Sequence, residues 1–199
     1  EICSAVRDAT PAAIPVTAKV RLGFDSDTQF EEIAEQALLS GIDELTVHAR
    51  TKAQAYRPPA HWRRLQDIVN PLDIPIIANG EIWTPSDLFD CKEQSGCNAF
   101  MLARGALCRP DLARAVHAYC TGDPIEPMTW PEVSQLLIDF FEANGALYQR
   151  KYAINPLKQW LVYLQHCYPQ AAALFAQVKR IRDPDDMRHA LLGATAAMA

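Results

Sequence analysis

Residues 15–22, Pro-Val-Thr-Ala-Lys-Val-Arg-Leu, form an apolar, β-rich run that carries two basic side chains two positions apart and stops at Gly23. Three later runs have the same character: 44–49 (ELTVHA), 74–78 (IPIIA) and 98–103 (NAFMLA). Each has the length of a buried strand, and each is nearly continuously apolar, which suits parallel strands covered on both faces. Their starts, near 16, 44, 74 and 98, lie 28, 30 and 24 residues apart. That is the rhythm of consecutive βα units with right-handed crossovers. The candidates are an open doubly wound sheet, a small four-stranded sheet, and a (β/α)8 barrel, of whose ~250 residues four units supply about half.

Helical signals fill the gaps. Phe30, Ile33, Ala34, Ala37 and Leu38 share one face behind an expected capping box of Thr28 and Glu31, with a stop at Gly41. Thr84, Pro85 and Asp87 open a second helix that should end near Gly96, and a third follows Pro110 and ends near Gly122. The chain begins with Glu1 inside a helical pattern over 1–8, so further sequence upstream is expected. After the Pro-rich linker 122–127 (GDPIEP) the pattern is helical only, over 131–144, 155–167, 170–182 and 184–192, separated at Gly145, Pro169 and Asp183-Pro184. Two domains are therefore expected, 1–122 built from βα units and 123–199 all helical.

The 199 residues are 49% hydrophobic and 22% charged, with a net charge of −5. This excludes a disordered tail, a collagen-like fibre and a secreted disulfide scaffold. No apolar run approaches the roughly 18–20 residues of a membrane span, and no signal-peptide pattern opens the chain, so a cytoplasmic protein without membrane partners is expected. Six scattered cysteines without a C-x-x-C pair read as reduced thiols, several of them buried. The acidic balance is uneven: between Glu142 and Asp183, forty residues carry six basic side chains (Arg150, Lys151, Lys158, Lys179, Arg180, Arg182) and no acidic one.

Ligands of parallel βα folds bind at the C-terminal ends of the strands. Here those ends carry Lys19 and Arg21, His48 and Arg50, Asn79-Gly80-Glu81, and Ala103-Arg104-Gly105. Lys19 within an apolar strand either meets an anionic partner or snorkels to solvent. Side chains two apart share a strand face, so Lys19 with Arg21, and His48 with Arg50, can each point at one site. Asn-Gly is an ordinary turn dipeptide, but its glycine can also aim backbone N–H groups at the space above the strand. Together the four ends favour an anionic, phosphate-bearing ligand. There is no G-x-G-x-x-G, no Walker loop, no H-E-x-x-H and no metal-ligand cluster in the sequence.

The segments VTAKVRLG (16–23), LTVHART (45–51), PIIANGEI (75–82) and MLARGA (101–106), in this order and spacing, resemble the tRNA-dihydrouridine synthases. Trp130-Pro131-Glu132-Val133 and Leu157-Lys158-Gln159-Trp160-Leu161 are similar to the C subfamily, associated with the D-loop uridine at tRNA position 16. The resemblance implies that residues 1–122 are the C-terminal half of an FMN-binding (β/α)8 TIM barrel and 123–199 a helical tRNA-binding domain. It implies a flavin-dependent oxidoreductase, monomeric when full-length, that uses FMN and NADPH to reduce a tRNA uridine to 5,6-dihydrouridine. Lys19 and His48 would meet the flavin ring, and Asn79, Gly80, Glu81, Ala103 and Arg104 the ribityl chain and phosphate. The family carries glycine where this chain has Ala49 and Ala103. Its proton-donor cysteine stands in an Asn-x-Gly-Cys-Pro motif absent here, so no catalytic residue is assigned and the 199 residues alone are expected to be inactive.

By the same resemblance the basic stretch gains a use, its side chains tracking a tRNA backbone. Arg21, Asn155, Lys158 and Tyr163 are the RNA-contact candidates, Tyr152 offers stacking surface, and Trp160 reads as helix core with Leu161 and Leu164. Asn155-Pro156 stands where relatives often carry arginine. Two alternatives remain at this point: another FMN barrel reductase of dihydroorotate or enoate type, and a noncatalytic RNA-binding fragment.

Overall fold

All four apolar runs are strands, shorter at their ends than the apolar patterns: β1 (Thr17–Arg21), β2 (Glu44–His48), β3 (Ile76–Asn79) and β4 (Ala99–Met101). The computed structural model describes residues 1–70, 72–149 and 152–196. The strands form one parallel sheet in chain order, β1-β2-β3-β4. A doubly wound sheet reverses its order to place helices on both faces. Unreversed order with crossovers of one hand sends every connection to the same face, as in a barrel. This α/β arrangement is consistent with a partial (β/α) barrel followed by a helical part.

Strand parity divides the sheet accordingly. Leu45, Val47 and Ala78 are fully buried and Ile76 nearly so. Helices α1 (Ile2–Ala9), α2 (Phe30–Leu39), α3 (Gln66–Val69) and α4 (Pro85–Ser95) accompany the strands, a 3-10 turn at Trp62–Leu65 preceding α3. Phe30, Ala34 and Ala37 of α2, Ile68 of α3, and Leu88 and Cys91 of α4 extend this core. The opposite parity carries Lys19, Arg21, Thr46, His48 and Asn79.

Most local signals act as expected. The α4 box forms: Thr84 Oγ1 accepts from the Asp87 N–H at 3.2 Å, and Asp87 accepts from the Thr84 N–H at 2.8 Å. Gly96 ends that helix in the left-handed region, φ +71°. The box expected at Thr28 and Glu31 does not form. Arg64 draws Glu31 away at 2.8 Å, together with Asp27 and Asp67, and α2 is capped at Gln29 without a side-chain bond. A guanidinium that gathers three carboxylates outcompetes a hydroxyl cap for one of them.

The chain divides into two compact units, Glu1–Ala103 and Arg104–Ala199. The second contains α5 (Arg104–Cys108), α6 (Leu112–Thr121), α7 (Trp130–Leu147), α8 (Ile154–Leu164), α9 (Pro169–Val178) and α10 (Pro184–Ala196). By contacts, then, α5 and α6 group with the helices beyond the linker that the sequence pattern uses as its boundary. Trp160 Nε1 of α8 donates to the Leu107 carbonyl at 3.0 Å, and buried Asp111 accepts from Arg109 and from the Met128 N–H. The core of this unit takes Val133 and Leu137 from α7, Leu157 and Leu161 from α8, Val178 from α9 and Met187 from α10. Gly145, expected as a break, lies inside α7, where a Cβ would meet nothing within 4 Å. A glycine in the last turn of a well-packed helix costs about 1 kcal/mol, too little to end it.

Helix α7 begins with Glu132 accepting from the Thr129 N–H at 2.7 Å and its hydroxyl at 2.8 Å, which holds the carboxyl below its ordinary pKa. The folded value lies below the unfolded one, so the cap stabilises fully above the ordinary value of 4.5 and is lost as pH falls through the folded value. Hydrogen exchange at the first turn of α7, corrected for intrinsic rates, is expected to accelerate over that acid range and to lose this dependence in Glu132→Gln.

Candidate functional site

Register places Arg21, His48, Asn79 and Met101 opposite one another across the four strand ends. One step back, Lys19 pairs in register with Thr46 of the neighbouring strand, yet its ammonium reaches farther. Lys19 Nζ lies 2.6 Å from Asn79 Oδ1 on β3 and 3.2 Å from Met101 Sδ on β4. Asn79 Nδ2 donates to the Met101 carbonyl at 2.7 Å, so the amide is oriented with its oxygen toward the lysine. Burial of the ammonium, and then the neighbouring Arg21 guanidinium, lower the Lys19 pKa from its ordinary value. The outcome is a polar bridge of Lys19, Asn79 and Met101 spanning four strands at the end where such folds take their ligands.

Arg21 organises the loop after β2. Its Nη1 donates to the Thr51 carbonyl at 3.1 Å and the Ala55 carbonyl at 3.0 Å, and the guanidinium stands 5.4 Å from the centre of the Tyr56 ring. Tyr56, 61% exposed, also lies 6.1 Å from the His48 ring. Nothing in the sequence singles out Tyr56, because its place depends on a loop folded by an arginine 35 residues earlier.

His48 and Arg50 meet, as the spacing suggests, though not by strand alternation: Arg50 Nη1 lies 3.4 Å from His48 Nε2. Strand β2 ends at His48, and the chain turns so that the Arg50 N–H lies 2.6 Å from the His48 carbonyl. Arg50 is 0% exposed. Its Nη2 is 2.9 Å from Glu81 Oε2, and its Nε donates to the Pro59 carbonyl at 3.2 Å. The Glu81 carboxylate is thus directed at Arg50. Gly80 (φ +116°) and Glu81 (φ +55°) are both in the left-handed half of backbone space. At Gly80 a Cβ would come within 2.9 Å of the His48 ring. The glycine therefore serves close packing of the histidine on the turn, and the Trp62 indole N–H fastens that turn by donating to the Gly80 carbonyl at 2.9 Å.

Ala103, exposed, closes the first unit, and Arg104, half-buried, opens the second. Among the other candidates, Asn155 is exposed and Tyr163 half-buried on α8. The Lys158 ammonium donates to the carbonyls of Lys179 at 3.1 Å and Ile181 at 2.6 Å, closing the end of α9. Burial, and then Arg182, lower its pKa. Trp160 packs its ring edge-on against Phe140, 4.9 Å between centres, and belongs to the core as expected. Lys179, Arg180 and Arg182 are exposed, while Arg150 and Lys151 lie outside the described residues. The predicted residues thus fall into two groups, one in each unit.

All six cysteines are free thiols, and burial pushes Cys91 up to about 12 and Cys108 up to about 11, so both stay protonated near neutrality. Among the described residues no cluster of three or more His, Cys, Asp or Glu side chains could hold a metal ion, and no helix is long and apolar enough to cross a membrane.

Residues 1–197 match the model of the dihydrouridine synthase (Dus) family, and the chain belongs to it. Similar proteins include the tRNA-dihydrouridine(16) synthases of Aquipseudomonas alcaligenes (43% identical, over 89% of this chain and 56% of that protein) and Neisseria meningitidis serogroup A (41%, over 96% and 57%). The tRNA-dihydrouridine(16) synthase of Escherichia coli K12 is 41% identical over 94% of this chain and 58% of its own length. The chain therefore spans a little over half the length of these relatives. Family membership sets aside the dihydroorotate and enoate reductase alternatives.

Because Arg21 holds two carbonyls of the 51–55 segment, Arg21→Lys should loosen that loop. Charged hydrogen bonds contribute about 1.5–3 kcal/mol each, so loss of even one predicts roughly tenfold or more faster trypsin cleavage after Lys52. Unchanged cleavage would show that the loop stands without the arginine.

Proposed function

We propose that residues 1–122 form the second half of a (β/α)8 barrel that binds FMN, and that residues 123–199 contact tRNA. The parent enzyme would be a cytoplasmic, NADPH-dependent tRNA-dihydrouridine(16) synthase. The observation that carries this reading is the Lys19–Asn79 bridge: a cation of lowered pKa and an oriented amide, side by side at the strand ends. The lysine suits the polar edge of a flavin ring, which offers carbonyl and nitrogen acceptors, and the asparagine stands beside it for the ribityl chain. The donor set is also free of a competing bare carboxylate, since Glu81 is neutralised by Arg50.

On this reading Lys19 and His48 bind the ring, Asn79, Gly80 and the backbone of Glu81 hold the ribityl chain, and Ala103 with Arg104 takes the phosphate. FMN, when bound, supplies hydride chemistry, recharged by NADPH. The residues present here bind and orient, and none of the six cysteines stands in the proton-donor motif. Arg21 lies where a flipped uridine would enter. Asn155, Lys158 and Tyr163 meet the tRNA, with exposed Lys179, Arg180 and Arg182 lying along its backbone.

The full-length protein is expected to purify with bound flavin, and Lys19→Ala and Arg104→Ala each to lose most of it, read as flavin absorbance per polypeptide. Full occupancy in both variants would overturn the site. For the helical unit, Arg180→Ala is expected to lower tRNA affinity and to flatten the log–log salt dependence by about one for the phosphate contact removed. An unchanged salt slope would make the basic stretch a solvated face.

A further inference from the structure

We infer that Arg50 is a positioning residue that fixes the orientation and tautomer of His48, leaving the imidazole proton on Nδ1. The guanidinium has little freedom. It is 0% exposed, its Nε is held by the Pro59 carbonyl at 3.2 Å, and its Nη2 lies 2.9 Å from Glu81 Oε2. With those two directions taken, Nη1 lies 3.4 Å from His48 Nε2. An arginine side chain only donates, and it keeps its charge at any pH a protein tolerates. The imidazole nitrogen facing it must therefore present its lone pair, and a neutral ring then carries its one proton on Nδ1.

Two further contacts select this orientation. A ring turned by 180° would set Cε1–H against the guanidinium N–H, donor against donor. The Cδ2–Nε2 edge of the ring also lies over the bare Cα of Gly80, where a Cβ would stand 2.9 Å from Cδ2 and 3.3 Å from Nε2. The same edge is thus gripped from two sides, by Arg50 and by Gly80, and Nδ1 belongs to the opposite edge. Glu81 completes the device, because without a carboxylate a buried guanidinium beside the imidazole would be strongly disfavoured. Its left-handed backbone, φ +55°, sits in the turn that brings the carboxylate to Arg50. His48 thus serves as an oriented polar group with Nε2 occupied, and it cannot act as an acid through that nitrogen. The relevance of this tautomer to catalysis rests on the flavin reading above, whereas the tautomer itself does not.

The test is long-range 1H–15N correlation on the intact protein labelled at histidine. Among the histidine signals, His48 is identified by the one lost in His48→Asn. The expected spectrum has a pyridine-type Nε2 and a pyrrole-type Nδ1. A pyrrole-type Nε2 in the native protein overturns the proposal outright and needs no Arg50 variant. In the paired variant Arg50→Met with Glu81→Met, which removes both buried charges together, the nitrogen shifts are expected to move toward tautomer-averaged values. An unchanged Nδ1–H pattern there would show that Arg50 does not set it. Flavin absorbance, read on the same samples, keeps the two readings apart: a native protein with the proton on Nδ1 but no flavin affinity would sink the proposed function and leave this inference standing.

Discussion

Four parallel strands laid side by side in chain order oblige every right-handed crossover to return on the same face of the sheet. That constraint separates the two faces chemically. One parity of the two central strands goes into the helix-covered core, as Leu45, Val47, Ile76 and Ala78 do, and the other is left for side chains that can do chemistry. Because the strands are parallel and in register, their C-terminal residues fall on one line. A lysine on the first can then reach an asparagine on the third without any loop intervening. The site is an outcome of strand order before it is an outcome of particular residues.

Its least tolerant component is a charge with no access to water. Arg50 is stabilised in the interior by the charge of the Glu81 carboxylate and by the Pro59 carbonyl and His48 as acceptors. Removing one partner from such a cluster costs about 3–5 kcal/mol, since the other charge is then stranded. The same interdependence ties the end of β2, the turn after β3 and the loop carrying Pro59 into one body. Lys19 and Asn79 are held from the sheet side, Arg21 and Tyr56 from the loop side.

In the helical unit, long cations that look alike in sequence have different commitments. Lys158 closes the end of α9 by donating to two main-chain carbonyls, and of its three N–H groups at most one is left for an outside anion. Lys179, Arg180 and Arg182 stand exposed just beyond α9. A local excess of positive charge is readable from composition, but which members can meet a phosphate depends on which carbonyls a folded helix leaves unsatisfied.

The sequence by itself determined the strands, their parallel character, most helix ends and the chemically loaded strand ends. These follow from local terms: apolar runs, proline and glycine positions, caps such as Thr84 with Asp87, and side-chain alternation of period two. It misplaced features governed by partners distant in the chain. The Thr28 box yields to Arg64, and Gly145 is absorbed by packing of α7. Period-two alternation does not extend to Arg50, because the strand stops two residues earlier and the backbone turns; its contact with His48 comes from that turn. Only the tertiary structure decided that Glu81 faces Arg50, that Gly80 makes room for His48, and that Arg21 holds the loop of Tyr56. Each of these is a contact between residues separated by tens of positions, and its energy depends on burial and distance that no local pattern contains.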